Sequence, residues 1–414
     1  AVVDSAGKVR WNAGQAAQVL ELLRRSRDVE YNDGFLQLCA DLLVPGIREM
    51  DANPLSKALG GLRRVKLSAT HNAGHVQTLV DAITETLHKK QIVWSRVQLS
   101  TAMNGLCNMS SDHASVQLLL TEITAIIQRS AVAALDERSV GTILYGMQNM
   151  SSEHAATRKL VATVATAISK SQPEMTVQGW SNAMYGLRSL STNYHEVRHL
   201  LGALAKLPLG PNAQLTEQSF GSALYGLQRM EDIAPVRRLL RTLCKACHER
   251  PVNLDGQAVS NALFGLQRMS SATPEVKDML WIMTKAMRRS GNVTLNALEI
   301  ANALYGLRGM DHAQPDVREL LRTLTTVIET SPARLAGKNV CVALYSLKSM
   351  KRGADTYRLL EALYRKFAVW SQPLTWANLS MALYGMQGLE SDAYTVRALL
   401  DRFEHILRQQ PIQG

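Results

Sequence analysis

The sequence predicts an all-α fold, an α-solenoid of about ten helix–turn–helix repeats of roughly 40 residues each. Three observations predict it. The phrase Ala-Leu-Tyr-Gly-Leu, or a close variant, returns throughout the chain. Each period contains two stretches with apolar residues at helical spacing. Aromatic residues make up only 5% of the chain although 46% is hydrophobic, which suits many small Leu/Ala/Met/Val cores better than one large core.

The register is set by the glycine of the phrase, at Gly61, Gly105, Gly146, Gly186, Gly226, Gly265, Gly306, Ser346 and Gly385, with steps of 44, 41, 40, 40, 39, 41, 40 and 39 residues. These nine units occupy residues 51–414. Residues 1–50 read as a degenerate capping repeat, with Gln15–Leu23 in place of the phrase and Phe35–Leu43 as its second helix. Together they form one continuous solenoid.

Within a unit, the first helix (helix A) is expected over stretches such as Trp180–Leu190. Counting Gly186 as zero, Trp180, Ala183, Met184, Leu187 and Leu190 fall on one face, and Phe220, Ala223, Leu224, Leu227 and Met230 repeat the pattern. A short polar turn follows, as at Ser151-Ser152 or Ser270-Ser271. The second helix (helix B) then opens, with proline near its first turn at Pro235, Pro274 and Pro315, and it reads like Val317–Leu324. Linkers such as Pro208-Leu-Gly-Pro211 return the chain to the next helix A. The register glycine costs roughly 1 kcal/mol relative to Ala within a helix. Eight of nine units keep it, so close approach of neighbouring helices is the expected compensation.

The chain carries 46 Lys+Arg against 35 Asp+Glu, a net charge of +11 that points to an anionic partner, most often nucleic acid. No apolar run nears the length of a membrane span, so no membrane insertion is expected. Ala1–Asp4 lacks an initiating Met and any signal-like segment, consistent with a targeting peptide removed or left out. The five scattered cysteines do not resemble a disulfide framework. Cys244-Lys-Ala-Cys247-His248 matches a haem-attachment string, but in the repeat register its cysteines replace Thr325 and Ile328 of an ordinary helix B. No metal site, cofactor or small-molecule substrate is expected, and no catalytic constellation stands out, so the chain reads as a non-enzyme.

From about residue 50 onward the repeats resemble the octotricopeptide repeat family. The stretches that carry the likeness are Ser181-Asn-Ala-Met-Tyr-Gly-Leu187, Ser260-Asn-Ala-Leu-Phe-Gly-Leu266 and Ala301-Asn-Ala-Leu-Tyr-Gly-Leu307. Tyr stands where that family favours Trp, and its Pro-Pro-Pro-Glu-Trp signature is absent. The resemblance implies an RNA-binding factor of an organelle, mitochondrion ahead of chloroplast, acting in RNA maturation, stability or translation. It also admits two alternatives: a structural subunit of a large organellar assembly such as a divergent ribosome, or a protein-interaction scaffold.

The helix-A face opposite the core supplies the candidate RNA contacts. Asn182, Asn261 and Asn302 stand four residues before the register position, where an amide could pair with a base edge or tie to the adjacent repeat. Arg188, Gln228, Arg229, Gln267, Arg268, Arg308 and Lys348 stand two or three residues after it, suited to phosphate or base contacts. Tyr185, Tyr225 and Tyr305 belong to a regular aromatic column that could stack bases or pack between repeats. A second basic column (Arg158, Arg198, Arg237, Lys277, Arg318, Arg358, Arg397) opens helix B and is read as making salt bridges.

Overall fold

The computed structural model describes residues 2–3, 9–25, 33–67, 74–130, 135–211, 213–350, 353–367, 375–390 and 393–409. It contains twenty α-helices among these residues and falls into two compact units, 1–211 and 212–414. In the first unit the helices are α1 (Ala13–Arg25), α2 (Asp33–Glu49), α3 (Ala52–Gly61), α4 (Gly74–Lys89), α5 (Arg96–Gly105), α6 (Ala114–Arg129), α7 (Glu137–Gly146), α8 (Ala155–Ser171), α9 (Val177–Gly186) and α10 (His195–Leu204). In the second they are α11 (Glu217–Tyr225), α12 (Ala234–Glu249), α13 (Gly256–Gly265), α14 (Pro274–Ser290), α15 (Ala297–Leu307), α16 (Pro315–Thr330), α17 (Lys338–Tyr345), α18 (Ala354–Lys366), α19 (Trp376–Met386) and α20 (Tyr394–Gln409).

Each unit is an α-solenoid of two layers. In the first, α1, α3, α5, α7 and α9 pack in succession, and α2, α4, α6, α8 and α10 form the parallel row behind them. In the second, α11, α13, α15, α17 and α19 form one row and α12, α14, α16, α18 and α20 the other. The only strands among the described residues are the two-residue pair Val2–Val3 and Val9–Arg10, which precedes α1; a chain without strands was expected. Short parallel bridges also join successive linkers, as at Met175 and Leu209. No helix among the described residues is long and apolar enough to cross a membrane.

Helix A is displaced from its expected span. It runs Val177–Gly186 rather than Trp180–Leu190, because Thr176 caps it earlier and the chain leaves helical geometry at the register glycine. Past the glycine, tight turns take over: Leu187 donates to the Met184 carbonyl and Leu190 to that of Leu187. The capping residues stand ten places before the register position in almost every unit. Side chains of Ser95, Asp136, Thr176, Thr216, Asp255, Asn296 and Thr375 each accept a backbone N–H of the first turn. The exceptions are α3, where Asp51 holds that place without a side-chain cap bond, and α17, where Ala336 fills it. Its cap falls to Gly337 at φ +54°, and the helix is only eight residues long. Helix B starts as expected, with proline in the first turn of α12, α14 and α16.

The apolar faces meet between the two layers. Trp180, Phe220, Leu224, Leu227 and Met230 are fully or almost fully buried, as are Val317, Leu320, Leu321 and Leu324 of α16. At the register glycine neighbouring repeats come into close backbone approach. A methyl group built on Gly105 would lie 1.9 Å from the Leu59 carbonyl oxygen, on Gly146 2.0 Å from that of Met103, and on Gly186 2.0 Å from that of Leu144. In the second unit, Gly265 meets the Leu224 carbonyl at 1.9 Å, Gly306 that of Leu263 at 2.2 Å, and Gly385 that of Leu344 at 2.0 Å. The opposing residue always stands two before the register position of the preceding repeat. Any side chain there would overlap backbone.

Candidate nucleic-acid interface

The exposed face of helix A is built from positions −8, −4, −1, +2 and +3 of the register. Across the nine units none of these positions holds Asp or Glu, while 35 acids stand elsewhere in the chain. Ten of them are Lys or Arg: Lys57, Arg63, Arg64, Arg138, Arg188, Arg229, Arg268, Arg308, Lys338 and Lys348. All but Gly60, Cys107 and Gln148 are half-buried or exposed. The acids of α3 through α19 in this row, Glu137, Glu217 and Glu299, sit in the first turn, where the helix dipole favours them.

The helix-B row is different. Its charges pair between neighbouring repeats: Arg48 with Glu85, Arg241 with Glu275, Arg288 with Glu319, Arg322 with Asp355 and Arg358 with Glu329. The basic column that opens helix B divides. Arg158 and Arg198 fold back onto carbonyls of the preceding turn, Ser152 and Thr192, at 2.9 and 2.7 Å. Arg158 also approaches Glu196, and Arg237 pairs with Asp232 at 2.6 Å. Arg358 stands one place out of step, since buried Thr356 takes the position that Val317 holds in α16.

The aromatic column stacks ring on ring. In the first unit Tyr145 and Tyr185 lie 5.8 Å apart. In the second, Tyr225, Phe264, Tyr305, Tyr345 and Tyr384 follow at 5.8, 5.8, 6.1 and 6.0 Å, with planes tilted by 22° to 27°. Tyr305 therefore has a ring on both faces. Cations sit against this column: the Arg308 guanidinium carbon is 3.7 Å from the Tyr305 centroid, and Lys348 is 4.7 Å from that of Tyr345.

The candidate side chains differ in how they are engaged. Asn182 accepts a hydrogen bond from Gln178 at 2.9 Å. Asn261 and Asn302 are half-buried and make no side-chain hydrogen bond among the described residues, so they do not tie to the adjacent repeat. Asn108 and Asn149, at +3, do make such a tie, donating at 2.8 Å to the carbonyls of Arg63 and Cys107 in the preceding repeat. Arg188 donates to the Gln148 carbonyl, the Tyr185 hydroxyl and the Asn149 side chain. Arg308 donates to Gln267 at 2.8 Å and to its own helix at the Tyr305 carbonyl. Burial holds its guanidinium below the usual arginine range, and no carboxylate acts on it. Lys348 donates to the Tyr345 hydroxyl at 3.0 Å. Gln228 is half-buried, while Arg229 and Arg268 are exposed.

Cys107, Cys244, Cys247 and Cys341 are free and buried. Burial pushes the Cys247 thiol up to about 12 and raises Cys244 further, which makes both unreactive at neutral pH. His248 pairs with Asp278 at 2.8 Å.

Capping at −10 and the +3 amide ties were not anticipated. The signal for the caps was present, a Ser, Thr, Asp or Asn ten residues before the register position in eight of the nine units. The ties need the neighbouring repeat to be read at the same time.

No family model matches this chain, and no curated protein matches it. Among solved structures it is similar to yeast Rmd9p in complex with a 16nt target RNA. The TM-score is 0.31 and the identity 10%, over 96% of this chain and 87% of that one.

Proposed function

We propose that this chain is a non-catalytic RNA-binding helical-repeat protein that holds single-stranded RNA along the exposed helix-A face. One observation carries the reading: across the nine units that face bears amides in eight and cations in seven, and not one carboxylate. Ion pairs between repeats engage many cations of the helix-B row, whereas no carboxylate stands at these five positions of the helix-A row. Such a surface attracts a polyanion, and its salt dependence counts the phosphates it neutralises. In this reading Asn261, Asn302 and Gln228 present amides to base edges, Arg229, Arg268 and Lys348 meet phosphate, and the tyrosine column packs the repeats. Residues 1–50 cap the array.

The resemblance of the repeats to octotricopeptide proteins favours an organelle, the mitochondrion first, and a role in RNA maturation, stability or translation. A fixed place in a larger ribonucleoprotein is favoured by one feature. Trp281 on the helix-B row is 47% exposed, beside His248 and Lys285, an amphipathic anchor of the kind protein partners cover.

The test is a titration of short single-stranded RNAs at several salt concentrations. Replacing Arg229, Arg268 and Lys348 together by Ala should weaken binding and flatten the salt slope by about 2, at roughly 0.7 per phosphate contact. Replacing Asn261 and Asn302 should alter sequence preference and leave the slope unchanged. Wild-type affinity in the triple variant, with normal melting, would remove RNA from this face.

A further inference from the structure

Arg188 and Arg308 occupy the same register position, +2, and the structure treats them differently. All three nitrogens of the Arg188 guanidinium are engaged: Nε with the Gln148 carbonyl, Nη1 with the Tyr185 hydroxyl and Nη2 with Asn149 Oδ1. Arg308 uses only Nη1, whose two protons go to Gln267 Oε1 at 2.8 Å and the Tyr305 carbonyl at 2.9 Å. Its Nε and Nη2 have no partner among the described residues. The cause lies one repeat back. Where Arg188 meets the acceptor Asn149 at +3, Arg308 meets the cation Arg268, which opposes it.

Three further features prepare the free edge. The guanidinium lies against the Tyr305 ring, so its plane is fixed. The next residue is Gly309, which puts no side chain beside the free edge; even a methyl group there would press on the Gln267 carbonyl oxygen at 3.3 Å. No carboxylate acts on the charge, and a half-buried cation without a counter-charge is costly to keep.

Resting on the RNA-binding reading of this face, we infer that Arg308 is a preset two-pronged donor that grips a group with two adjacent acceptor atoms on the bound strand, while Arg188 is a tie between repeats. Two sources in RNA offer that chemistry: the non-bridging oxygens of a phosphate and the O6/N7 edge of guanine. Tyr305 and Gln267 position the prongs and need not touch the strand.

The experiment compares wild type with Arg308→Ala, Arg308→Lys and Arg188→Ala, each checked by thermal melting. The probes are oligo(U), a guanine-containing oligomer and the same oligomer with 7-deazaguanine. Arg308→Ala should weaken binding roughly ten- to hundredfold. Arg308→Lys, which keeps the charge and loses the fork, should recover little of it. Arg188→Ala should melt lower and bind as wild type. If phosphate is gripped, the loss is equal on oligo(U) and the guanine oligomer, and the salt slope falls by about 0.7. If the guanine edge is gripped, the loss is confined to the guanine oligomer, and 7-deazaguanine reproduces it in wild type. Unchanged binding by Arg308→Ala, or full recovery by Lys, overturns the inference and leaves the RNA reading standing. A wild-type protein that binds none of the probes overturns both.

Discussion

Which side chain a position tolerates depends here on what the preceding repeat places opposite it. Gly265 and Gly202 illustrate the point. A methyl group at Gly265 would meet the Leu224 carbonyl at 1.9 Å, whereas at Gly202, inside α10, it would meet nothing within 4 Å. Gly265→Ala should therefore destabilise the protein by about 1–3 kcal/mol through overpacking. Gly202→Ala should stabilise it by roughly 0.5–1 kcal/mol through helix propensity and reduced freedom of the unfolded chain. Chemical denaturation of the two variants would check this, and equal shifts would contradict it. The packing role of the glycines was legible in the sequence, because repetition of an unfavourable residue demands an offset. The different fates of Arg188 and Arg308 were not legible within one repeat. They follow from Asn149 and Arg268 in the repeats before them, a comparison that single-helix periodicity never makes.

At the level of the helix, the N-terminal caps set where each helix A begins, and that is where the boundaries read from apolar spacing were wrong. Asp136 caps α7 by accepting from the Ser139 backbone at 2.9 Å. Burial would push its carboxyl up, but the Ser139 hydroxyl and amide and the Arg96 guanidinium outweigh that and hold it below the usual carboxylate range. A depressed folded-state value means the carboxylate's contribution is fully present above the unfolded-state value and is lost as pH falls through the folded one. Asp136→Asn keeps a good cap and removes the titration; Asp136→Ala should cost about 1 kcal/mol at neutral pH. Melting curves measured downward from neutral pH should show wild type losing its advantage over the Asn variant as the carboxylate protonates. A constant gap between the two would sink this account.

For the molecule as a whole, the two-layer architecture and the number of helices were readable from the recurrence of one phrase, because each repeat buries its faces only against its neighbours. The same locality predicts how the chain unfolds. Stability in such an array is close to a sum of repeat and interface terms, so weak and strong stretches need not melt together. Calorimetry should give a total enthalpy larger than the van't Hoff value from the same transition, and a single two-state transition would contradict it. Amide exchange should be fastest around α17, the short helix whose −10 place holds Ala336.

The glycine–carbonyl contact has one more consequence. Because each joint uses the same socket, the joints are interchangeable, and array length is a free variable within the second unit. Excising residues 266–306, together with Ser346→Gly, would splice Gly265 to Leu307 and bring α17 against α13 in place of α15. The glycine would then face the Leu263 carbonyl that Gly306 now covers. The shortened protein should fold with its helical content reduced in proportion, measurable by circular dichroism. On this view the chain is written in whole periods, and a step of one period is a far smaller disturbance than the loss of a few residues within one.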